Sequence, residues 1–168
     1  MLVFIIAGSV VLADQAVKAL AAGWLAQLPN NTFPLWEGVF HLTYAQNFGA
    51  AFGMLQNARW FFLIITVLCC GGIIWFLRRE RKRMHLLMKV SLALILGGAL
   101  GNFIDRAVLG YVRDMFYVIL VDFAIFNVAD AAVSVGSVLL FLDLLFLRGK
   151  VYLEDKPKPS PEPPEENA

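Results

Sequence analysis

Two aspartates, Asp114 and Asp130, lie in strongly apolar stretches of the sequence, where a carboxylate is costly to bury. No Lys or Arg occurs between Phe123 and Leu147, so Asp130 has no cation close to it in the chain. If the fold brings the two carboxyl groups to about 3–5 Å, they cannot both ionise and must share a proton. One can then act as a base on water while the other, protonated, polarises a carbonyl. This chemistry is peptide hydrolysis by an aspartyl dyad, although paired carboxylates in membranes also serve proton or cation transport.

A second polar group, in the segment GNFIDR, ends an apolar run at residues 101–106. Asp105 and Arg106 follow Asn102 by three and four residues, so one helix face carries all three. A neighbouring cation holds an aspartate in its charged form, which argues against Asp105 as a proton-transferring acid. We therefore expect a salt bridge between Asp105 and Arg106. It would tie the end of a helix and position the loop that carries Asp114.

Other polar side chains also fall within the apolar runs. Asp14 and Lys18 are four residues apart and are expected to pair as a structural element. Asn127 and Asp130 share a helix face, and a helix that begins with its apolar run would hold Asp130 about 10 Å from its start. Asp143 is expected to be solvated at the membrane interface and is given no role.

The elements that must position these residues are membrane-spanning helices. Of the 168 residues, 60% are hydrophobic, against about half in soluble domains, and they gather into long runs. About twenty apolar residues cross a bilayer as a helix. The sequence predicts an all-α polytopic membrane protein with an outer cap at 29–59, where β-branched and aromatic residues favour short β-strands. One domain covers 1–155, its four spans lie at about 1–28, 60–77, 86–105 and 123–147, and a Pro-rich tail at 156–168 is predicted to be disordered.

The distribution of positive charge along the sequence predicts how the chain is oriented in the membrane. The segment RRERKRMHLLMK, between the second and third spans, is rich in Arg and Lys, which indicates a cytoplasmic loop. Four crossings then leave both termini in the cytoplasm and Asp114 and Asp130 near the outer face. The position of this cluster beside two spans explains it better than nucleic-acid binding, which we do not expect. The sequence has no H-E-x-x-H motif and no cluster of metal ligands, so we expect no metal and no cofactor.

Five segments in order, DQAVK, NFGAAFG, GGALGNFIDR, VRDM and FNVAD, resemble the lipoprotein signal peptidase family, also called signal peptidase II. The resemblance implies an aspartic endopeptidase of the bacterial inner membrane. Such an enzyme removes the signal peptide of diacylglyceryl-modified prolipoproteins, cutting before the lipidated cysteine. The expected partners are these substrates and membrane lipids, and we expect a monomer. The resemblance puts the catalytic pair on Asp114 and Asp130. It puts supporting or substrate-binding roles on Asp14, Lys18, Asn47, Gly49, Asn102, Asp105, Arg106 and Asn127.

One departure from the family is visible beside Asp114. An apolar residue usually precedes this aspartate and Phe follows it, whereas this chain has Arg113 and Met115. Arg113 could lower the pKa of Asp114 or point into solvent. The alternative function is a small proton- or cation-coupled transporter that uses the carboxylates. A transporter would predict repeated or broken helices, which the sequence does not display. A purely structural role would not explain why the protein keeps Asp130 in the membrane, where a carboxylate is unfavourable.

Overall fold

The computed structural model describes residues 1–50, 54–80 and 84–148. The predicted tail at 156–168 and the centre of the basic loop, residues 81–83, lie outside them. Four long helices and a small antiparallel sheet make up the fold, so the predicted class is confirmed. The helices are α1 Leu2–Trp24, α2 Arg59–Arg79, α3 Leu86–Val108 and α4 Val128–Leu142, and the strands are β1 Thr32–Trp36, β2 Phe40–Asn47 and β3 Val112–Val118.

The helices present apolar side chains to their surroundings. Leu12, Leu68 and Phe141 are each more than half exposed, although water would disfavour them there. Within the described residues, four helical segments are long and apolar enough to cross a bilayer. They are Leu2–Gln27, Arg59–Arg79, Leu86–Val108 and Val128–Phe146.

Helix α3 lies at the centre of the bundle and uses glycines to approach its neighbours. A Cβ added at Gly97 would come within 2.8 Å of the carbonyl oxygen of Ala7 in α1. A Cβ at Gly101 would come within 2.6 Å of an Asp14 carboxylate oxygen. The glycine pair therefore lets α1 come close enough for Asp14 to reach the polar interior.

The sheet has the order β1-β2-β3, and all its pairs are antiparallel. Strand β3 follows α3 and pairs with β2 through Ala45 opposite Asp114 and Asn47 opposite Val112. We expected a loop to carry Asp114, and the structure instead holds it on a strand. Its backbone position is thus fixed by the ladder with β2, whose last residue is Asn47.

Helix α4 begins at Val128 rather than near Phe123. The preceding Phe126 exchanges two backbone hydrogen bonds with Phe116 of β3, at 2.8 and 3.0 Å. Asn127 is the N-cap, and its side chain accepts a hydrogen bond from the Asp130 backbone, which defines the helix start. The expectation that Asp130 lies about 10 Å from the start of the helix is therefore wrong, because Asp130 belongs to the first turn.

The expectation of a solvated Asp143 is also wrong. Its side chain is fully buried, and one carboxylate oxygen lies 2.6 Å from Nε2 of His85, the N-cap residue of α3. Within the described part of the chain, neither Asp143 oxygen has a partner in hydrogen-bonding geometry, and the His85 ring nitrogen is the polar atom that lies beside them. The sequence places the two residues 58 positions apart and gives no sign of this contact.

Candidate active site

Asp114 lies on β3 with only 2% of its surface exposed, and two asparagine amides hold its carboxylate. Asn47 Nδ2 donates to one oxygen at 3.0 Å, and Asn127 Nδ2 donates to the other at 2.6 Å. Burial and, next, the charge of Asp130 raise the pKa of Asp114 to about 7, against the lowering effect of the two amides. Asp114 can therefore hold or release a proton near neutral pH.

Asp130 lies beside it in the first turn of α4. One oxygen accepts a hydrogen bond from Asn102 Nδ2 at 2.7 Å, and the other accepts one from the Asn127 backbone at 3.2 Å. Asn127 contacts both aspartates, since its side-chain amide binds Asp114. The two carboxyl groups are thus oriented by one shared set of neutral amides, as a pair that works together requires.

The predicted pair in α1 is present and supports this arrangement. Lys18 Nζ lies 2.8 Å from Asp14 Oδ2, and both side chains are fully buried. Lys18 also donates to Asn102 Oδ1 at 2.9 Å, and Asp14 accepts from the backbone N–H of Ala129 at 2.9 Å. The α1 pair therefore orients the amide that binds Asp130 and holds the start of α4.

The predicted salt bridge between Asp105 and Arg106 is wrong. In the described structure Asp105 pairs with Arg113 and, at 3.5 Å, with Lys18. Arg106 donates to the carbonyl oxygen of Gly49 at 2.9 Å. The physical reason is helix geometry, because consecutive residues do not face each other. Asp105 points towards β3 and α1, while Arg106 holds the cap.

Both expectations for Arg113 are also wrong. Successive side chains of a strand point to opposite faces, so Arg113 points away from its neighbour Asp114. The Arg113 side chain is 15% exposed. Its guanidinium donates to both oxygens of Asp105, from Nη2 at 2.8 Å and from Nε at 3.1 Å. The pKa of Arg113 is raised by this carboxylate, and the pKa of Asp114 is raised, not lowered.

Gln15 is a member of this network that the sequence analysis missed. Its Oε1 accepts from Arg113 NH2 at 2.9 Å, and its Nε2 donates to Asp105 Oδ1 at 3.1 Å. The available signal was its place in the segment DQAVK, between the paired Asp14 and Lys18.

The turn after β2 fixes the Asn47 amide. Asn47 Oδ1 accepts from the backbone N–H of Gly49 at 2.9 Å, which leaves its Nδ2 to face Asp114. A side chain at Gly49 would collide with the backbone carbonyl of Met54, so the turn requires glycine. All the predicted site residues thus belong to one connected group.

A cavity of about 560 Å³ lies beside this group. Asp130 is the member of the aspartate pair that lines it, together with Asn102 and Arg106. The rest of its wall is mostly apolar and includes Phe123, Ile125, Phe126, Val133 and Val135. An apolar cleft with a few convergent polar groups is the usual form of a binding site for a mainly apolar substrate.

Four helices apolar enough to cross a membrane, with two aspartates oriented by shared amides, fit the class of membrane aspartic peptidases. The model of the family described as Signal peptidase (SPase) II matches residues 6–146. The chain belongs to this family of peptide hydrolases.

Individual relatives agree with the family match. The lipoprotein signal peptidase of Brevibacillus brevis is 46% identical over 149 residues, which cover 88% of this chain and 96% of that protein. That of Bacillus subtilis is 41% identical over 152 residues, with 89% and 97% covered. These matches favour the peptidase interpretation over the transporter alternative.

Solved structures agree as well. A bacterial membrane enzyme determined by the in meso method at 2.3 Å superposes with a TM-score of 0.79 at 32% identity, covering 94% of this chain and 93% of that one. A second, at 1.9 Å, gives 0.76 at 34% identity, with 86% and 92% covered. The chain is accordingly a multi-pass membrane enzyme of bacterial type.

Proposed function

We propose that this chain removes the signal peptide from diacylglyceryl-modified prolipoproteins, cutting before the lipidated cysteine, with Asp114 and Asp130 as its catalytic pair. The observation that carries this proposal is the Asn127 side chain, which contacts both aspartates while burial raises the pKa of Asp114 to about 7. A carboxyl group that keeps its proton near neutral pH beside an ionised partner is what a shared-proton dyad needs.

The proposed reaction needs one proton on the pair. Asp114 is the deeper group and holds the proton, while Asp130 lines the cavity and acts as the base. Asp130 takes a proton from water, whose oxygen bonds to the scissile carbonyl carbon as Asp114 hydrogen-bonds the carbonyl oxygen. The carbon–nitrogen bond then breaks, and the leaving nitrogen receives the proton from Asp130. The pair ends with the single proton with which it began.

The cavity supports an apolar, lipid-modified substrate. Its wall between α3 and α4 is mostly apolar, and the surrounding helix surfaces would face hydrocarbon. Acyl chains could stay in the bilayer while the scissile bond reaches Asp130. Each methylene buried in hydrocarbon is worth about 0.8 kcal/mol, so the lipid would supply much of the binding energy.

Orientation and assembly complete the proposal. The Arg- and Lys-rich loop between α2 and α3 lies on the cytoplasmic side, with both termini, and the aspartate pair lies near the outer face. Residues 1–155 act as one domain. The enzyme works as a monomer, because its proposed catalytic pair and supporting groups all come from one chain.

The test is cleavage of a synthetic prolipoprotein segment by purified enzyme in detergent, with and without the diacylglyceryl group. We expect turnover of the lipidated form and negligible turnover of the other. Asp114→Asn and Asp130→Asn should each abolish cleavage in folded protein. Asp143→Asn is the matched control, since it alters a buried carboxylate at the other end of the bundle and should keep its activity per folded molecule. Equal cleavage of both substrates, or an active Asp130→Asn, would refute the proposal.

A further inference from the structure

Arg113 directly precedes Asp114 in the sequence. Its contacts are the first in a series of polar contacts that leads to Asp130. The guanidinium binds both oxygens of Asp105, and the Arg113 backbone N–H also donates to Asp105 at 2.9 Å. A two-point contact between a guanidinium and a carboxylate fixes direction as well as distance. The same guanidinium also donates to Gln15 Oε1, so Arg113 joins β3 to α1 and α3.

The next group in this series is Lys18, which has three oxygens within reach. Asp14 and Asn102 lie at 2.8 and 2.9 Å from its ammonium, whereas Asp105 lies at 3.5 Å. All three groups are close enough to compete for the same cation. Asp105 is the most distant, and it is also the one whose two oxygens are already bound by Arg113.

The amide of Asn102 links the position of Lys18 to the aspartate pair. Its oxygen accepts from Lys18 and from Asn127, which leaves its NH2 group to donate to Asp130 at 2.7 Å. If Lys18 moved towards Asp105, the Asn102 oxygen would lose the shorter of its two donated hydrogen bonds and keep only that from Asn127. The amide would then be held less firmly, and so would the Asp130 carboxylate that it orients.

We propose that Arg113 is a positioning residue for Asp130: by binding Asp105 it leaves Lys18 free to orient Asn102, which in turn orients Asp130. This inference rests on the proposed function, because it assumes that Asp130 acts on the substrate. Arg113 does not touch the cavity described above. Its role is exerted through Asp105, Lys18 and Asn102.

The first test compares kcat and KM for Arg113→Met and Arg113→Lys on the lipidated substrate. Arg113→Met leaves Asp105 to attract Lys18, so kcat should fall about 10- to 100-fold, as small misplacements of a reacting group do, while KM stays within about twofold. Arg113→Lys returns a cation to Asp105 and should recover most of the loss. Arg59→Met is the matched control. It removes a cation that binds the Ala107 carbonyl at the same helix end, away from Asp105, and kcat should not change.

The second test is the double variant Arg113→Met/Asp105→Asn. The neutral amide that replaces the Asp105 carboxylate no longer attracts Lys18, so kcat should exceed that of Arg113→Met alone. If Arg113 and Asp105 acted independently of each other, their losses in kcat would add and the double variant would be the slowest. Additive losses, or a failure of Lys to rescue, would overturn the inference. Asp130→Asn in the same assay keeps the two proposals apart, because its activity would refute the catalytic pair whatever Arg113 does.

Discussion

The Asn127 side chain has two tasks: its oxygen caps α4, and its amide nitrogen donates to Asp114 and to Asn102. Replacing Asn127 separates these two tasks. Losing an N-cap costs about 1 kcal/mol. Leaving a buried carboxylate without one donor costs about 1.5–3 kcal/mol. Asn127→Ala loses both, so its free energy of unfolding should fall by about 2.5–4 kcal/mol. Asn127→Ser can still cap the helix and should recover about 1 kcal/mol of that loss.

Activity should follow the second task alone. Both variants remove the donor to Asp114, so both should lose about 100-fold in kcat, even though Ser restores part of the stability. The donor favours the charged carboxylate, so its removal raises the pKa of Asp114 above about 7. The pair then keeps its single proton to higher pH. The alkaline limb of the pH–kcat profile should therefore move up by about one unit.

The assay measures kcat from about pH 5 to about pH 10 on the lipidated substrate, with the thermal midpoint of each protein measured beside it. Activity is expressed per folded molecule, which removes the effect of stability. If Asn127→Ser regains activity in proportion to stability, Asn127 acts only as a cap. If the alkaline limb stays in place or moves to lower pH, Asn127 does not hold Asp114 in the way described.

Three further predictions concern stability and orientation. The pKa of Asp114 is about 7 in the folded protein against an ordinary 3.8, so the folded state loses stability as pH rises through this window. Asp114→Asn should therefore be more stable than the parent by up to about 4 kcal/mol at about pH 8 and equal to it at about pH 4. Denaturation in detergent at both pH values checks the sign. His85→Ala should lower the thermal midpoint by leaving Asp143 without its neighbour, and adding Asp143→Leu should restore it; a further fall would contradict a stabilising contact between His85 and Asp143. In a cysteine-free background, an impermeant thiol reagent outside intact cells should label Glu37→Cys and miss Lys82→Cys, and the reverse pattern would invert the topology.

The sequence predicts well those features that depend on neighbours in the chain. Hydrocarbon requires long apolar runs, so the four helices were recognisable from composition. The Asp14–Lys18 pair was equally recognisable, because a spacing of four residues puts both on one helix face. The order of five short segments assigned Asp114 and Asp130 to one site, and in the structure the Asn127 side chain contacts both residues.

Features that depend on distant parts of the chain were mispredicted. The partner of Asp105 was sought beside it at Arg106, whereas it comes from the following strand. The start of α4 was placed too early because the apolar run before Asn127 looks the same as helix, although Phe126 binds β3. Asp143 was assigned to water because His85 is close to it only in the folded protein. In each case the partner comes from a distant part of the chain that the local sequence does not indicate.

The use of amides around the aspartate pair has a physical reason. Asn47, Asn102 and Asn127 each donate to a carboxylate, and each can accept a hydrogen bond at the same time. Cations at these positions would orient the carboxylates more strongly, but they would also favour the fully ionised pair and remove the shared proton. The ammonium of Lys18 is accordingly one residue removed from Asp130 and acts through Asn102. Neutral amides thus contact the two carboxylates, while Lys18 contacts one of those amides and Arg113 contacts Asp105 and Gln15.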